Sequence, residues 1–149
     1  MNLRSALEPR LDIADSLYAS VLVLVEESEG NEEITAQAIS KLVGKEVLPE
    51  SLLEYWSWTD AENLAYLLSL PPAVKVEGIA MEELIVVIER ILEAFDSASY
   101  QSEAIVDFYL DVIHKNLPCP NASDYIFHKN YKTAEEIAEA IWQYKPILL

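Results

Sequence analysis

The sequence predicts an all-α protein, a helical bundle, on three observations. Apolar residues recur at three- and four-residue spacing along most of the chain, which puts them on one face of successive helices. Only 3 of the 149 residues are glycine, too few for the turns that a β-sandwich or barrel consumes. Hydrophobic residues make up 52% of the composition, enough for a core that a disordered segment could not build. A chain of this length holds one solid core, or two small units sharing one.

The first periodic stretch runs from Leu11 to Ser28, with Ile13, Leu17, Tyr18, Val21, Leu22 and Val25 on the stripe and Asp12, Asp15, Glu26 and Glu27 off it. Gly30-Asn31 ends it. Asn31 is suited to cap a second helix, whose stripe is Ile34, Ala38, Ile39, Leu42 and Val43 and whose stop is Gly44. After a connector over 46–49 comes a short aromatic-rich segment, Leu52-Leu53-Glu54-Tyr55-Trp56-Ser57-Trp58. Thr59-Asp60-Ala61-Glu62 then has the form of a capping box, in which the threonine and glutamate side chains satisfy each other's free backbone N–H groups. It opens a helix through Leu64, Leu67 and Leu68 that ends before Pro71-Pro72.

Residues 73–78, with two prolines before them and a glycine at their end, form the expected linker between halves. The next helix, Met81 to Phe95, carries Leu84, Ile85, Ile88, Ile91, Leu92 and Phe95 on one face. Past the turn at 96–99, Ser102 is expected to cap a helix with Ile105, Val106, Phe108, Tyr109, Val112, Ile113 and Leu117 apolar. Glu103, Asp107 and Asp111, at four-residue intervals, line one edge of it. Thr133-Ala134-Glu135-Glu136 is a second capping box, starting a helix with Ile137, Ile141 and Trp142 that stops before Pro146.

The expected units are therefore 1–75 and 79–149, two lobes or one continuous globule. Both halves run through one order of parts: two amphipathic helices, a proline-marked aromatic segment, a Thr-x-x-Glu box, a short helix and a proline. This suggests an old duplication, the first half being a degenerate copy. Residue identity between the halves is slight, so chance resemblance of helix-turn-helix strings stays open.

The formal charge of −16, from 26 acids and 10 bases, argues against direct nucleic-acid binding, because phosphates need a basic face. A neutral or basic partner fits better. Arg4, Glu8 and Arg10 interrupt the N-terminus, which has no export signal, and no apolar run is long enough for a membrane span. These features point to a cytoplasmic protein. A single cysteine, Cys119, excludes an internal disulfide. His114 and His128 have no companions at metal-ligand spacing, no Gly-rich phosphate loop occurs, and Cys119 has no triad around it. The acid pairs Glu82-Glu83 and Glu135-Glu136 occupy first helical turns, where they complement the helix dipole. No catalytic residue, metal or cofactor is expected.

Binding is the better class. In Cys119-Pro120-Asn121-Ala122-Ser123-Asp124-Tyr125-Ile126-Phe127-His128-Lys129, prolines stop the preceding helix and Asn121 and Ser123 favour a turn. Asp124 then stands beside Tyr125, Phe127 and His128, and clustered aromatics next to a charge are the composition of an interface hot spot. The plainer explanation is that Tyr125, Ile126 and Phe127 plug a gap between helices. A single short turn can point only one or two of them inward.

The stretch from Ile79 to Lys145 resembles the immunity proteins of DNase colicins and pyocins. The family hallmark is a His-Pro, a short turn, then Ser-Asp-Leu-Ile-Tyr-Tyr-Pro, to which Cys119-Pro120 and Ser123 to Lys129 align. Met81-Glu82-Glu83-Leu84 is similar to the start of the first family helix, and Ser102-Glu103-Ala104-Ile105-Val106 to that of the second. The Thr133-Ala134-Glu135-Glu136-Ile137 box and Tyr144-Lys145-Pro146-Ile147 also look like bacterial relatives of that kind. The resemblance implies a four-helix unit whose short third helix docks on a basic nuclease toxin. Carried over by position, Asp124, Phe127 and His128 would be anchors, with Ser123 and Tyr125 beside them in the partner-binding segment. Glu103, Val106, Asp107, Leu110 and Asp111 would choose the toxin. Phe127, His128 and Lys129 stand where the family has tyrosine, tyrosine and proline.

Two rivals belong to other classes. One is an acidic all-helical protein–protein adaptor with no toxin partner. The other is a structural homodimer joined through Tyr55, Trp56 and Trp58, although a monomer is favoured.

Overall fold

The computed structural model describes residues 3–57, 59–97 and 99–144. Among these residues the chain is helical and contains no strand. Eight α-helices follow one another: α1 (Leu11–Glu26), α2 (Glu32–Val43), α3 (Pro49–Glu54), α4 (Ala61–Ser69), α5 (Met81–Phe95), α6 (Tyr100–Asn116), α7 (Ala122–Phe127) and α8 (Ala134–Trp142). Short 3₁₀ turns occupy Ser5–Leu7 and Tyr55–Ser57. The expectations placed on Trp58, Lys145, Pro146 and Ile147 lie outside the described residues.

Contacts divide the chain into two compact units, and neither is continuous in sequence. The first comprises Pro9–Pro71 with Ser99–Ala104. The second comprises Met1–Glu8, Pro72–Ala98 and Ile105–Leu149.

In the first unit α1 packs against α4 and α2, and α2 against α3. Val21, Val25, Ala36, Ile39, Val47, Leu52, Leu64 and Ala65 form its core. Gly44 ends α2 in the left-handed conformation, φ 76°, where a side chain would be strained and glycine is not. Pro49 opens α3 at a first-turn position that needs no N–H. The stripe expected on α2 is rotated: Thr35, Ala36 and Ile39 are buried, whereas Ile34 is 70% exposed. Two expected caps also move. Asp60, not Thr59, accepts the Asn63 backbone N–H at 2.8 Å, and the Thr59 hydroxyl takes the Asn63 side-chain amide instead. On α6, Ser99 caps and Ser102 is capped, its N–H donating to Ser99 Oγ at 3.1 Å.

Three tyrosine rings lock the first turn of α6 into this unit. Tyr18 stacks on Tyr100 at 4.7 Å, and Tyr66 meets both rings edge-on. The buried Tyr66 hydroxyl donates to Asp15 at 2.8 Å.

In the second unit α5 packs against α8, and α8 against α7. Leu84, Val87, Ile88 and Ile91 of α5 are buried with Ile137, Ala138 and Ile141 of α8. Phe95, expected on the buried face of α5, is 64% exposed, because it is the last residue of the helix and the buried stripe stops a turn before it. The N-terminal residues dock here through Leu3 and Leu7 and through Glu8, whose carboxylate pairs with Arg90 at 2.9 Å. Arg90 also donates to the Tyr109 hydroxyl.

Residues 73–78 are strapped along α6. Lys115 Nζ donates to the Ala73 carbonyl, and the Asn116 amide donates to Val74 O while accepting from Val76 N. Thr133 caps α8 by accepting from the Glu136 N–H, while the Glu136 carboxylate reaches Lys132 N rather than closing the expected box. In chain order the helices of the two halves match in length at the third and fourth places, 6 and 9 residues in each. The first helix packs on the fourth in both.

Candidate functional site

The segment after α6 is built to present one face of α7. Pro118 and Pro120 flank Cys119, which is fully buried, with burial pushing its thiol up. An Asp124 N–H bond to Asn121 O and a His128 N–H bond to Asp124 O, 3.0 and 2.9 Å, close the short helix at its two ends. Ala122 and Ile126, four residues apart, are its buried face. Asp124 and His128, also four apart, are exposed on another, and Ser123, Tyr125 and Phe127 are half-buried between. Of the three candidates for plugging the helix gap, Ile126 does so.

The aromatic side chains are held in place. Phe127 lies 4.8 Å from Phe95, ring planes tilted by 37°, so the end of α5 and α7 together offer an aromatic pair to solvent. Tyr125 is flanked by Tyr131, nearly parallel at 6.4 Å, and by the Lys129 ammonium at 5.2 Å from the ring centre. Phe95 and Tyr131 were not legible as site residues: the first continues the α5 core periodicity, and the second sits in a loop with no pattern.

On α6, Val106, Asp107, Leu110 and Asp111 are half-buried in the same unit. Asp111 pairs with Lys115 of its own helix at 3.2 Å. Glu103 is exposed, four residues before Asp107 on the same helix. Around α7 the same unit also exposes Asp96, Glu135, Glu136 and Glu139. The exposed charges of this segment and of α8 are mostly acidic, with Lys129 and Lys132 among them.

Among the described residues, no group of three or more His, Cys, Asp or Glu side chains converges as a metal-binding set. No helix of these residues is long and apolar enough to cross a membrane. Compared with protein-family models, curated proteins and solved structures, the chain matches none. The likeness to immunity proteins rests on the motif residues alone.

Proposed function

We propose that the chain is a bacteriocin immunity-type protein that binds and inhibits a basic nuclease toxin, with α7 as the docking helix. The observation that carries this reading is α7 itself. It is a six-residue helix that buries Ala122 and Ile126, exposes Asp124 and His128, and holds Phe127 against Phe95 at the surface. A nuclease presents a basic cleft to DNA. An acidic helical surface docked beside such a cleft blocks the substrate and repels its phosphates. Asp124 would supply a charge-assisted hydrogen bond, and the Phe95–Phe127 pair would supply desolvated apolar contact. Charge speeds association and is screened by salt; the rings slow dissociation.

The test is a binding and protection experiment. Purified chain should bind at least one basic DNase domain in a panel of colicin and pyocin toxins and suppress its DNA cleavage, and cells expressing the chain should survive that nuclease. Cleavage at an unchanged rate in the presence of excess chain would refute inhibition.

One observation favours the adaptor reading. Lys129 lies over the Tyr125 ring and puts a positive charge where a basic partner would approach. An adaptor of this kind would bind an acidic or neutral partner through α7 and protect no cell against a nuclease.

A further inference from the structure

The first unit carries a cleft of its own, about 330 Å³, bounded by the end of α1, the start of α2 and the α3 segment. Its wall includes Glu26, Glu29 and Glu32, and its apolar side is Leu53, Tyr55 and Trp56. Every side chain lining it that is charged at neutral pH is a glutamate.

Trp56 is 74% exposed, yet its ring is not loose: the indole N–H donates to Leu53 O at 2.9 Å. With that polar atom satisfied, the ring has its π-face left to offer, and an aromatic face attracts cations. The glutamates add to this. Glu32 is fixed in direction, one oxygen accepting from Gly30 N at 2.7 Å. Glu26 is the last residue of α1, where the helix end carries partial negative charge as well. An exposed indole, three carboxylates and the C-terminus of α1 thus line one cleft and select positive charge, while the opposite partial charge at the start of α2 is offset by Glu32 in its first turn.

We infer that this cleft receives an arginine side chain from a loop of a partner protein. The cleft is at the small end of ligand-pocket sizes, right for one long side chain and too small for a folded element. Arginine fits better than lysine because a planar guanidinium can stack on the indole while its edge donates in a fork to a carboxylate. This site involves none of the residues assigned to α7 docking and stands whether or not that proposal does.

The experiment is an amide and indole NMR titration of the full chain with acetyl-Gly-Arg-Gly-amide, set against the citrulline peptide, which has the same shape without the charge. The arginine peptide should shift the Trp56 indole and the amides of Glu26, Glu29, Glu32 and Leu53, and the citrulline peptide should not. Trp56→Ala and the double variant Glu29→Gln/Glu32→Gln should each weaken binding by about two- to fivefold, the size of an exposed cation–π contact. Equal shifts with both peptides would overturn the inference. So would shifts of the same size at Glu135, Glu136 and Glu139 of α8, which would mean diffuse attraction to acidic surface. Unchanged dispersion of the remaining amides checks that the variants are folded, and a folded Trp56→Ala variant binding as tightly as the parent would also overturn it.

Discussion

The Arg4 guanidinium spans both carboxylate oxygens of Glu83, with Nε 2.9 Å from Oε2 and a terminal nitrogen 2.8 Å from Oε1. The same arginine donates to the carbonyls of Glu77 and Gly78, and Glu83 accepts from Ala80 N at the start of α5. One ion pair therefore fixes three things in the second unit: the N-terminal segment, the strap before α5 and the first turn of α5.

That pairing sets a pH dependence. Arg4 holds the Glu83 carboxyl down to about 2 from its ordinary 4.5, despite burial acting the other way. A carboxyl whose pKa is depressed on folding contributes stability above its unfolded value, and that contribution fades as pH falls toward the folded one. Replacing Arg4 by methionine should destabilise the protein at pH 7, and the gap to the parent should narrow steadily from about pH 4.5 toward pH 2. Urea unfolding at a series of pH values measures it; a gap independent of pH would mean the pair is not coupled to folding.

At the start of α4 the cap is Asp60, so Asp60→Ala should cost about 1 kcal/mol. Glu62 is exposed and completes no capping box, so Glu62→Ala should stay within about 0.5 kcal/mol. Chemical denaturation of the two variants distinguishes this cap from one on Thr59, which would need Glu62.

Tyr18 and Tyr66 should resist ionisation. Burial, with Tyr100 alongside, pushes the Tyr18 phenol up to about 12. A phenol whose pKa is raised on folding stabilises below its unfolded value near 10 and loses that contribution as pH rises toward 12. Absorbance of phenolate against pH should show a late-titrating group that becomes ordinary in urea. Tyr66→Phe, which removes the bond to Asp15, should cost about 1 kcal/mol.

The longer helices and their order were legible because periodicity survives in any environment: Met81 to Phe95 is α5 to the residue, and Gly44 ends α2, whereas α3 falls where a connector and an aromatic segment were expected. Choices among neighbouring competent side chains were not. Thr59 and Asp60 can both cap, as can Ser99 and Ser102, and backbone conformation at one residue decides between them. Which apolar residues stay exposed was also hidden, since Ile34, Trp56 and Phe95 differ from core residues only in what packs over them. The Arg4–Glu83 pair links residues far apart in sequence, and nothing local marks either end. At the candidate site, the short helix α7 was expected from its motif, while Phe95 and Tyr131 entered only through ring contacts.

Within α7, stability and binding should separate. Ile126 is buried, and Ile126→Ala should cost about 2–3 kcal/mol on denaturation, at the low end for core truncation because the helix is short. Asp124 is exposed, and Asp124→Ala should change stability by no more than about 0.5 kcal/mol. A large stability loss at Asp124 would make it a structural residue rather than a docking one.

The decisive measurement is titration calorimetry of the full chain against the basic DNase domain it binds in a panel of colicin and pyocin toxins, repeated with Asp124→Ala and Phe127→Ala at two salt concentrations. Docking through α7 predicts that each substitution weakens binding by on the order of 2 kcal/mol, about 30-fold, and that added salt weakens the parent. Affinity unchanged by both substitutions would contradict it.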